Sequence, residues 1–428
     1  MVPEIIPHAE FRINLIRAVF GYWFLPLFVF FCGFFPERVA ATQIGPDGEF
    51  CRTINDPASG QEIILLPGDY RGPCVIRRGG TRERPLIIRG KRDEGRPRVV
   101  YEGQSANALE IHADHVVVRG LVLGPTRRNV DGVRIFANYG ITIEDCEFSR
   151  LGGIAIAATR TSVDGLIVRR NVVTNSAATA MYFGCHDGIE CLVSNLIVEQ
   201  NFIHRVDAID SEVGYGIQFK LNSSGVIRDN VIVDTKGPGI MVYGSTDPSS
   251  PNVIERNFVT GSRRSSGFLI GGGPAQVRNN IVSRNFLGGV TLQDYANRGL
   301  LRKIAVVNNT AFKNKYGEFV VPSQGKFSQI SFAMNAAVSS EGTKVFPRRQ
   351  TGVDSRQNID CTTSACFTDP LSLNFSPLPA SPVYRVQNLK HASLPLDDYY
   401  GRSRKKKPIA GAVAFAAPPI KFGIKSEH

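Results

Sequence analysis

The segment Gly216-Ile-Gln-Phe-Lys220 carries an amide and an amine at alternate positions. In an extended strand, alternate side chains point to the same side, so Gln218 and Lys220 should share one solvent-facing surface. Two segments with the same pattern place Tyr182 and Tyr243 at comparable positions. An amine close to phenol groups can transfer protons and can neutralise a carboxylate. We therefore identify Lys220, Tyr182 and Tyr243 as the candidate catalytic residues.

This set of groups would suit a β-elimination on a uronate-containing sugar. The reaction needs a cation for the carboxylate, a base for the proton at C5 and an acid for the leaving oxygen. Lys220 could be the base or the cation, and Tyr182 or Tyr243 could be the acid or the base. The alternative is an ordinary surface, because tyrosine and glutamine are common on exposed sheet faces and lysine commonly protects strands.

Six further residues, taken from the same strand positions and the neighbouring loops, are candidates for substrate binding: Arg134, Gln218, His186, Gln293, Asp294 and Arg298. Three acidic residues in the segment before Gly216 could bind Ca²⁺, although a solvated loop is the alternative: Asp207, Asp210 and Glu212. No other cofactor is indicated, and the metal is otherwise unknown.

The elements that position these residues recur along the chain. Short apolar segments end in asparagine every 23 to 30 residues, at Asn171, Asn201, Asn230, Asn257, Asn280 and Asn309. Cys146 occupies the same slot one step earlier. An asparagine amide can satisfy inward-pointing backbone groups at a turn and can stack on the asparagine of the next repeat. We expect these residues to be structural and to form one buried column.

A second set of strands follows the asparagine segments, each with a small residue and then alternating apolar positions. The period is too short for a strand–helix–strand unit. Strands that recur in phase without helices must coil, and each pairs with the next at about 4.8 Å. The sequence therefore predicts an all-β solenoid, a parallel β-helix over residues 42–340, followed by a C-terminal capping segment over residues 341–428.

The first 41 residues do not share this pattern. An apolar run, Ala18 to Phe35, precedes Val39 and Ala41, which are small residues at the spacing of a signal-peptidase site. We expect a signal peptide over residues 1–41 and a secreted or periplasmic protein without stable membrane insertion after cleavage. An uncleaved N-terminal anchor is the alternative, because a run of about 18 residues is the minimum for spanning a bilayer.

Seven cysteines follow the expected cleavage point, and export permits disulfides. Three plausible pairs lie close in sequence and leave Cys146 without a partner: Cys51–Cys74, Cys185–Cys191 and Cys361–Cys366. Zinc binding is the alternative, but no CxxC pair is present. The second pair would clamp the loop that carries His186.

The chain is basic, with 50 Lys and Arg against 38 Asp and Glu, a net charge of +12. A basic surplus attracts polyanions in general, including nucleic acid, lipid surfaces and uronic-acid polymers. Part of the surplus is the run of basic residues within 402–407, which we expect to be a solvated loop. The charge alone does not decide among these polyanions. An acidic polysaccharide bound by a monomer, with no role for nucleic acid, is the partner that the family resemblance described next implies.

The beginning and the end of the repeat carry a family resemblance. Leu66-Pro-Gly-Asp-Tyr-Arg-Gly-Pro-Cys-Val-Ile76 and Pro85-Leu-Ile-Ile-Arg-Gly90 are similar to the first coils of alginate- and chondroitin-type lyases. Asp398-Tyr-Tyr-Gly-Arg402 resembles the closing segment of bacterial β-helix proteins. The chain thus resembles the right-handed parallel β-helix superfamily of pectate, alginate and chondroitin lyases and mannuronan epimerases.

This resemblance implies a right-handed coil and an exported carbohydrate-active protein, and it favours a lyase that cleaves acidic polysaccharide by β-elimination. The Asp-Pro-His-Asp of the epimerases and the Trp-Ile-Asp-His of the pectate lyases are absent. A C5-epimerase, a hydrolase and a non-catalytic polysaccharide-binding protein therefore stay open as alternatives. A hydrolase would need two carboxylates about 5 to 9.5 Å apart, and the predicted row of outward residues that contains Tyr182, Gln218 and Tyr243 offers none.

Overall fold

The structure is a computed structural model of the protein. It describes residues 41–425 except 47–48, 92–94, 209–213, 248, 250, 340–342, 362–365, 388, 390, 392 and 405–407. Apart from residue 41, the expected signal peptide therefore lies outside the described residues. Within that part of the chain, no helix is long and apolar enough to cross a membrane.

Three parallel sheets, here called A, B and C, wind around one core. Sheet A has thirteen strands, in spatial order Thr42–Ile44, Glu62–Leu65, Leu86–Gly90, Val116–Arg119, Thr142–Glu144, Ile167–Arg169, Leu196–Glu199, Gly225–Arg228, Asn252–Glu255, Ala275–Arg278, Arg302–Val307, Ser328–Ala333 and Val353–Arg356. Each pairs in parallel with the strand one coil away.

Sheet B has twelve strands: Asp69–Arg71, Arg98–Tyr101, Val122–Thr126, Glu147–Leu151, Val172–Ser176, Phe202–Val206, Val231–Thr235, Phe258–Thr260, Ile281–Ser283, Thr310–Phe312, Ala336–Val338 and Ile359–Asp360. Sheet C has ten: Cys74–Ile76, Leu109–Ile111, Val133–Ile135, Ile156–Ala158, Met181–Phe183, Ile217–Phe219, Ile240–Val242, Phe268–Ile270, Gly288–Leu292 and Gly317–Val320.

A few short elements lie outside these sheets. They are the parallel pair Val163–Asp164 and Val193–Ser194, the antiparallel pair Phe367–Asp369 and Asn374–Pro377, the α-helix Phe50–Asn55, and 3₁₀ turns at Tyr295–Asn297, Pro370–Ser372 and Pro382–Tyr384.

The two repeated strand patterns of the sequence correspond to sheets A and C, so the solenoid prediction is confirmed. Sheet B, which begins just after each asparagine, was not predicted. Its strands also turn residues into the core, as in Phe202–Val206, where Ile203 and Val206 are fully buried and the positive φ of Arg205 interrupts the alternation. The inward residues of all three sheets form one continuous apolar core, because alternate positions of every strand point to it.

The asparagines lie at the corner between sheets A and B. The backbone N–H of Asn171 donates to Oδ1 of Asn201 at 2.9 Å, and the Nδ2 of Asn171 donates to the carbonyl of Ile143 in the preceding coil at 2.9 Å. The same link repeats through Asn230, Asn257, Asn280 and Asn309. The column begins at Cys146, whose N–H donates to Asn171 Oδ1 and whose thiol is free and buried.

The column also continues further than the sequence pattern indicates. Asn309 donates to Asn335, and Asn335 donates to Asn358. Strands Val353–Arg356 and Ile359–Asp360 likewise extend sheets A and B beyond residue 340. The coil therefore enters the segment that the sequence assigned to the cap.

One end of the coil and one outer face are covered. The helix Phe50–Asn55 buries Phe50 and Ile54 against the first coils, beside the disulfide Cys51–Cys74. Apolar residues of the C-terminal segment pack beside the coil, on the outer face of sheet B: Phe375, Val383, Tyr399 and Ile409. An uncovered strand edge or apolar face invites aggregation, so these segments act as caps.

The basic run near the C-terminus differs from the expected solvated loop. Arg404 is 7% exposed and donates to Asn279 Oδ1 at 2.6 Å, because its segment packs on the corner of the coil. Arg402 pairs with Asp398 at 2.7 Å. The three lysines of the run lie outside the described residues.

Charged residues alternate in sign along one outward column of sheet A. In register, the column contains Arg119, Glu144, Arg169, Glu199, Arg228, Glu255 and Arg278. Glu144 is fully buried between arginines of both neighbouring coils, with Arg169 Nε at 2.7 Å. Opposite charges on adjacent strands favour this register over a shifted one.

Candidate functional site

The outward side chains of sheet C form columns that run along the coil. Strand register aligns Tyr182 with Gln218, and Gln218 with Met241. The next outward column, two residues later, contains Lys220 and Tyr243 on adjacent coils, each held by a backbone hydrogen bond to the coil before it. The structure therefore brings the three candidate catalytic residues and Gln218 together on one face.

The amine of Lys220 lies at the centre of this group. Its Nζ is 3.0 Å from His186 Nδ1 and 3.2 Å from the hydroxyl of Tyr243. It also lies 5.1 Å from the ring centre of Tyr182 and 4.3 Å from that of Tyr243. Among the described residues, no carboxylate forms an ion pair with Lys220.

The expectation that Lys220 faces solvent is wrong. The side chain points away from the core of the coil, but it is only 4% exposed. The reason is that the loop carrying His186 and the rings of the two tyrosines cover it. An amine in such surroundings loses hydration, which disfavours its charged form.

The hydroxyl of Tyr243 is buried and is hydrogen-bonded to several neighbours. Its oxygen accepts from Gln218 Nε2 and from Lys220 Nζ, both at 3.2 Å. A further hydrogen bond joins its hydroxyl to that of Tyr215. Because Tyr243 is 2% exposed, it fixes the positions of the amine, the amide and a second phenol.

The disulfide Cys185–Cys191 is present and closes the loop over Lys220, with the two Cα atoms 5.1 Å apart. The exposed ring of His186 reaches Lys220 from this loop and lies 6.1 Å from the ring of Tyr295. The nearby positive charge of Lys220 is the main cause of a lowered pKa of His186. The imidazole is therefore neutral near pH 7, and its Nδ1 can accept from the ammonium.

Two polar atoms at the site have no hydrogen-bond partner among the described residues. They are Oε1 of Gln218 and Nη1 of Arg298, and both atoms are buried. The Arg298 guanidinium stacks near the ring of Tyr295, at 5.3 Å from its centre. Leaving such atoms unpaired is costly, so a ligand that offers a hydroxyl to Gln218 and an anionic oxygen to Arg298 would fit.

The titration of these groups is set by burial and by neighbouring charges. Burial, with the positive charge of Arg298, lowers the pKa of Lys220 to about 8. Burial raises the pKa of Tyr182 to about 12 and also raises the pKa values of Tyr215 and Tyr243. Near neutral pH the phenols therefore keep their protons, whereas the lysine loses its proton readily.

The other candidate binding residues lie further away. Arg134, three coils from Lys220, bonds to Asp131 at 2.8 Å and to Thr159 at 2.9 Å. Gln293 is exposed, two coils beyond Tyr243 on the same face. The carboxylate of Asp294 accepts from the backbone N–H of Gly299 at 2.9 Å, so it closes its own turn.

The acidic segment offers no described calcium site. Asp207 pairs with Arg205 at 3.2 Å and with Arg263 at 2.8 Å, whereas Asp210 and Glu212 lie outside the described residues. Elsewhere in the described ranges, no group of three or more His, Cys, Asp or Glu residues could hold a metal ion.

Tyr215 is a site residue that the sequence analysis missed. It stands immediately before the small residue that opens strand Ile217–Phe219, at a corner where the repeat pattern has no defined residue type. Its ring is partly exposed beside the buried Tyr243. The only feature of the sequence that could have pointed to Tyr215 is its position next to the segment that contains Lys220.

Comparison with known proteins agrees with this architecture. Residues 131–311 match the family model described as a right-handed beta helix region. The chain is a right-handed parallel β-helix. No curated protein matches its sequence.

Among solved structures, this β-helix is similar to pectate lyase Pel9A, with a TM-score of 0.53 and 16% identity over 88% of this chain and 97% of that one. It is also similar to the A-module of the Azotobacter vinelandii mannuronan C-5 epimerase AlgE4, with a TM-score of 0.50 and 13% identity over 70% of this chain and 86% of that one. Identities this low show a shared fold alone.

Proposed function

We propose that the protein is an exported lyase that cleaves a uronate-containing polysaccharide by β-elimination. The observation that carries this proposal is the buried amine of Lys220, which contacts His186 and Tyr243 but pairs with no described carboxylate. A buried ammonium without a counter-ion is unfavourable. Lys220 therefore loses its proton more readily than an exposed lysine does, which suits a base.

The cation and the base are different residues in this proposal. Arg298 carries a guanidinium whose buried Nη1 has no partner among the described residues, so it neutralises the uronate carboxylate. This stabilises the negative charge that develops as C5 loses its proton. Lys220, with a pKa of about 8, is neutral often enough to take that proton.

The acid is Tyr215 in this scheme. Its hydroxyl is hydrogen-bonded to that of Tyr243. We assign Tyr243 as the donor, which leaves the proton of Tyr215 available, and hydrogen bonds in series strengthen one another. The C5–H electrons form the C4–C5 double bond, the C4–O bond breaks, and the leaving oxygen takes the proton of Tyr215. Tyr182, with a pKa of about 12, is the second phenol that could supply it.

Export is part of the proposal. Three disulfides are formed, Cys51–Cys74, Cys185–Cys191 and Cys361–Cys366, and such bonds are typical of the periplasm and the extracellular space. The N-terminal pattern of the sequence supports the same location. We further propose that the protein acts as a monomer.

The test is a panel of polygalacturonate, alginate, chondroitin and hyaluronan, with and without calcium. We expect the ultraviolet absorbance of an unsaturated product on one of them, lost in Lys220→Ala and kept in Lys326→Ala, which removes an exposed lysine elsewhere. New reducing ends without that absorbance would identify a hydrolase. Inversion at C5 without cleavage would identify an epimerase, and binding without any product would overturn the enzyme proposal.

A further inference from the structure

A second aromatic cluster lies beyond the candidate site, at the corner where the coil turns from sheet B into sheet C. Phe286 is 40% exposed and Tyr316 is 60% exposed. Their ring centres are 5.8 Å apart and their planes are inclined by 68°. Two exposed rings in contact form a contiguous apolar patch, and such patches mark binding surfaces.

A cation accompanies the two rings. The amine of Lys315 lies 4.4 Å from the ring centre of Phe286 and 5.2 Å from that of Tyr316. In the described part of the chain, no carboxylate pairs with Lys315. The cluster therefore presents apolar ring surface and an unneutralised positive charge to the same small region.

The backbone beneath the cluster is held by a second asparagine ladder. The N–H and Nδ2 of Asn285 both donate to Oδ1 of Asn314, at 3.0 and 2.8 Å. The N–H of Tyr316 donates to the carbonyl of Leu287 at 2.8 Å. These bonds fix the two adjacent coils, so the rings are presented by a rigid support.

The cluster lies at the edge of sheet C, the sheet whose outer face carries the candidate site. The strands that directly follow it, Gly288–Leu292 and Gly317–Val320, belong to sheet C three and four coils beyond the strand that precedes Lys220. At about 4.8 Å per coil, the separation along the axis is roughly 14 to 19 Å. A linear polysaccharide lying along sheet C would reach the cluster a few sugar units from the point of cleavage.

We propose that Phe286, Lys315 and Tyr316 form a distal subsite for one uronate residue of the polysaccharide. The apolar face of the sugar ring stacks on an aromatic ring, and its carboxylate pairs with Lys315. The inference rests on the proposed function for its substrate class. The subsite contributes binding of long chains and takes no part in proton transfer.

The test separates binding from catalysis. The double variant Phe286→Ala/Tyr316→Ala, Lys315→Ala and the control Tyr384→Ala, which removes a 41% exposed tyrosine of the cap, are run in native gels that contain polygalacturonate, alginate or neutral dextran. On the polymer that retards the wild type, we expect retardation to fall at least fivefold in the double variant and in Lys315→Ala. The control should migrate like the wild type, and dextran should retard none of them.

Kinetics on the same polymer complete the test. We expect the double variant to raise KM at least fivefold on long chains while leaving kcat, and all constants on a trisaccharide, unchanged. Wild-type retardation in the double variant, or a loss of kcat on the trisaccharide, would overturn the subsite. Loss of retardation in a protein that yields no unsaturated product would support the subsite and overturn the lyase. A changed oligomeric state of the double variant would instead assign the cluster to self-association.

Discussion

The Nζ of Lys220 lies 3.0 Å from Nδ1 of His186, although the two residues belong to different coils and are 34 positions apart in sequence. The contact joins the floor of the candidate site to the loop closed by Cys185–Cys191. The amine and the imidazole therefore influence each other's charge, and the disulfide holds them at this distance. Several predictions about activity depend on this arrangement.

Activity should follow the ionisation of Lys220. Because the base must be neutral and its pKa is about 8, kcat/KM should rise about tenfold per pH unit below pH 8 and level off above it. Lys220→Ala and Lys220→Arg should both lose at least 10³-fold in kcat, since guanidinium stays protonated. A flat profile between pH 6 and 8, or an active Lys220→Arg, would show that the residue is not the base.

Replacing this lysine should also stabilise the protein. The folded-state pKa of Lys220 lies below the ordinary value of 10.5, so the unfolded chain binds a proton more tightly between about pH 8 and 10.5. Lys220→Met should therefore be more stable than the wild type below pH 8, by about 3 kcal/mol. The advantage should shrink as the pH approaches 10.5, because both chains are then neutral at this position.

The measurement is urea unfolding of both proteins at several pH values, with Lys326→Met as the exposed control. A constant difference between Lys220→Met and the wild type across this range would show that burial does not depress the lysine pKa.

Replacing each of the three tyrosines of the site should change kcat by a different amount. Tyr215→Phe removes the proposed acid and should lower kcat by 10² to 10⁴-fold, as loss of general-acid catalysis does. Tyr243→Phe keeps the ring but removes the acceptor of Lys220 and Gln218, so kcat should fall less and the pH midpoint should move down. This shift would not occur if Tyr243 only filled space. Should Tyr182→Phe have the largest effect on kcat, Tyr182 would be the acid instead.

Replacing an asparagine of the column should lower the free energy of unfolding without changing kcat. Asn230→Leu leaves the backbone N–H of Asn201 and the carbonyl of Val198 without their partner, which costs about 1–3 kcal/mol. Thermal and urea unfolding should both show this loss, while kcat of the folded variant stays at the wild-type level. An unchanged midpoint would mean that the column contributes little.

The charged column of sheet A should give a pH-dependent effect. Although burial opposes ionisation, the arginines Arg119 and Arg169 hold the pKa of Glu144 below its usual 4.5. Its stabilisation is therefore present above pH 4.5 and is lost as the pH falls through the lowered value. Glu144→Gln should cost about 3 kcal/mol at pH 7 and progressively less below pH 4.5.

The matched control is Glu49→Gln, because Glu49 pairs with Arg52 in an ion pair whose side chains are 67% and 80% exposed. Surface pairs of this kind contribute about 0–1 kcal/mol. Equal losses in the two variants would argue against a special role for burial at Glu144.

The fold was largely predictable because its signals are local and repeated. Asn171 and Asn201 occupy the same place in equivalent six-residue segments, so the repeat length of the coil is evident from the sequence. Sheet B was missed because strands such as Val231–Thr235 directly follow an asparagine and lack a marker residue of their own. Asn358 was missed because it lies where the apolar pattern around it has faded.

The site was only partly predictable. The alternation of side chains along the strand placed Lys220 and Gln218 on one face. It does not predict which loops and side chains cover that face. The burial of Lys220 depends on His186, which a loop brings from the preceding coil, and the role of Tyr215 depends on a hydrogen bond across coils. Such contacts arise from the stacking of non-repeating segments, which the repeat does not encode.

The asparagine ladder allows the segments between successive coils to vary in length. The link from Asn257 to Asn280 spans 23 residues and the link from Asn171 to Asn201 spans 30, yet both have the same 2.9 Å geometry. The geometry of the hydrogen bond is therefore independent of the number of residues between the two asparagines. Loops such as the one that carries His186 can be lengthened, shortened or exchanged during evolution without a change in coil stacking, so substrate selectivity can diverge while the scaffold stays the same.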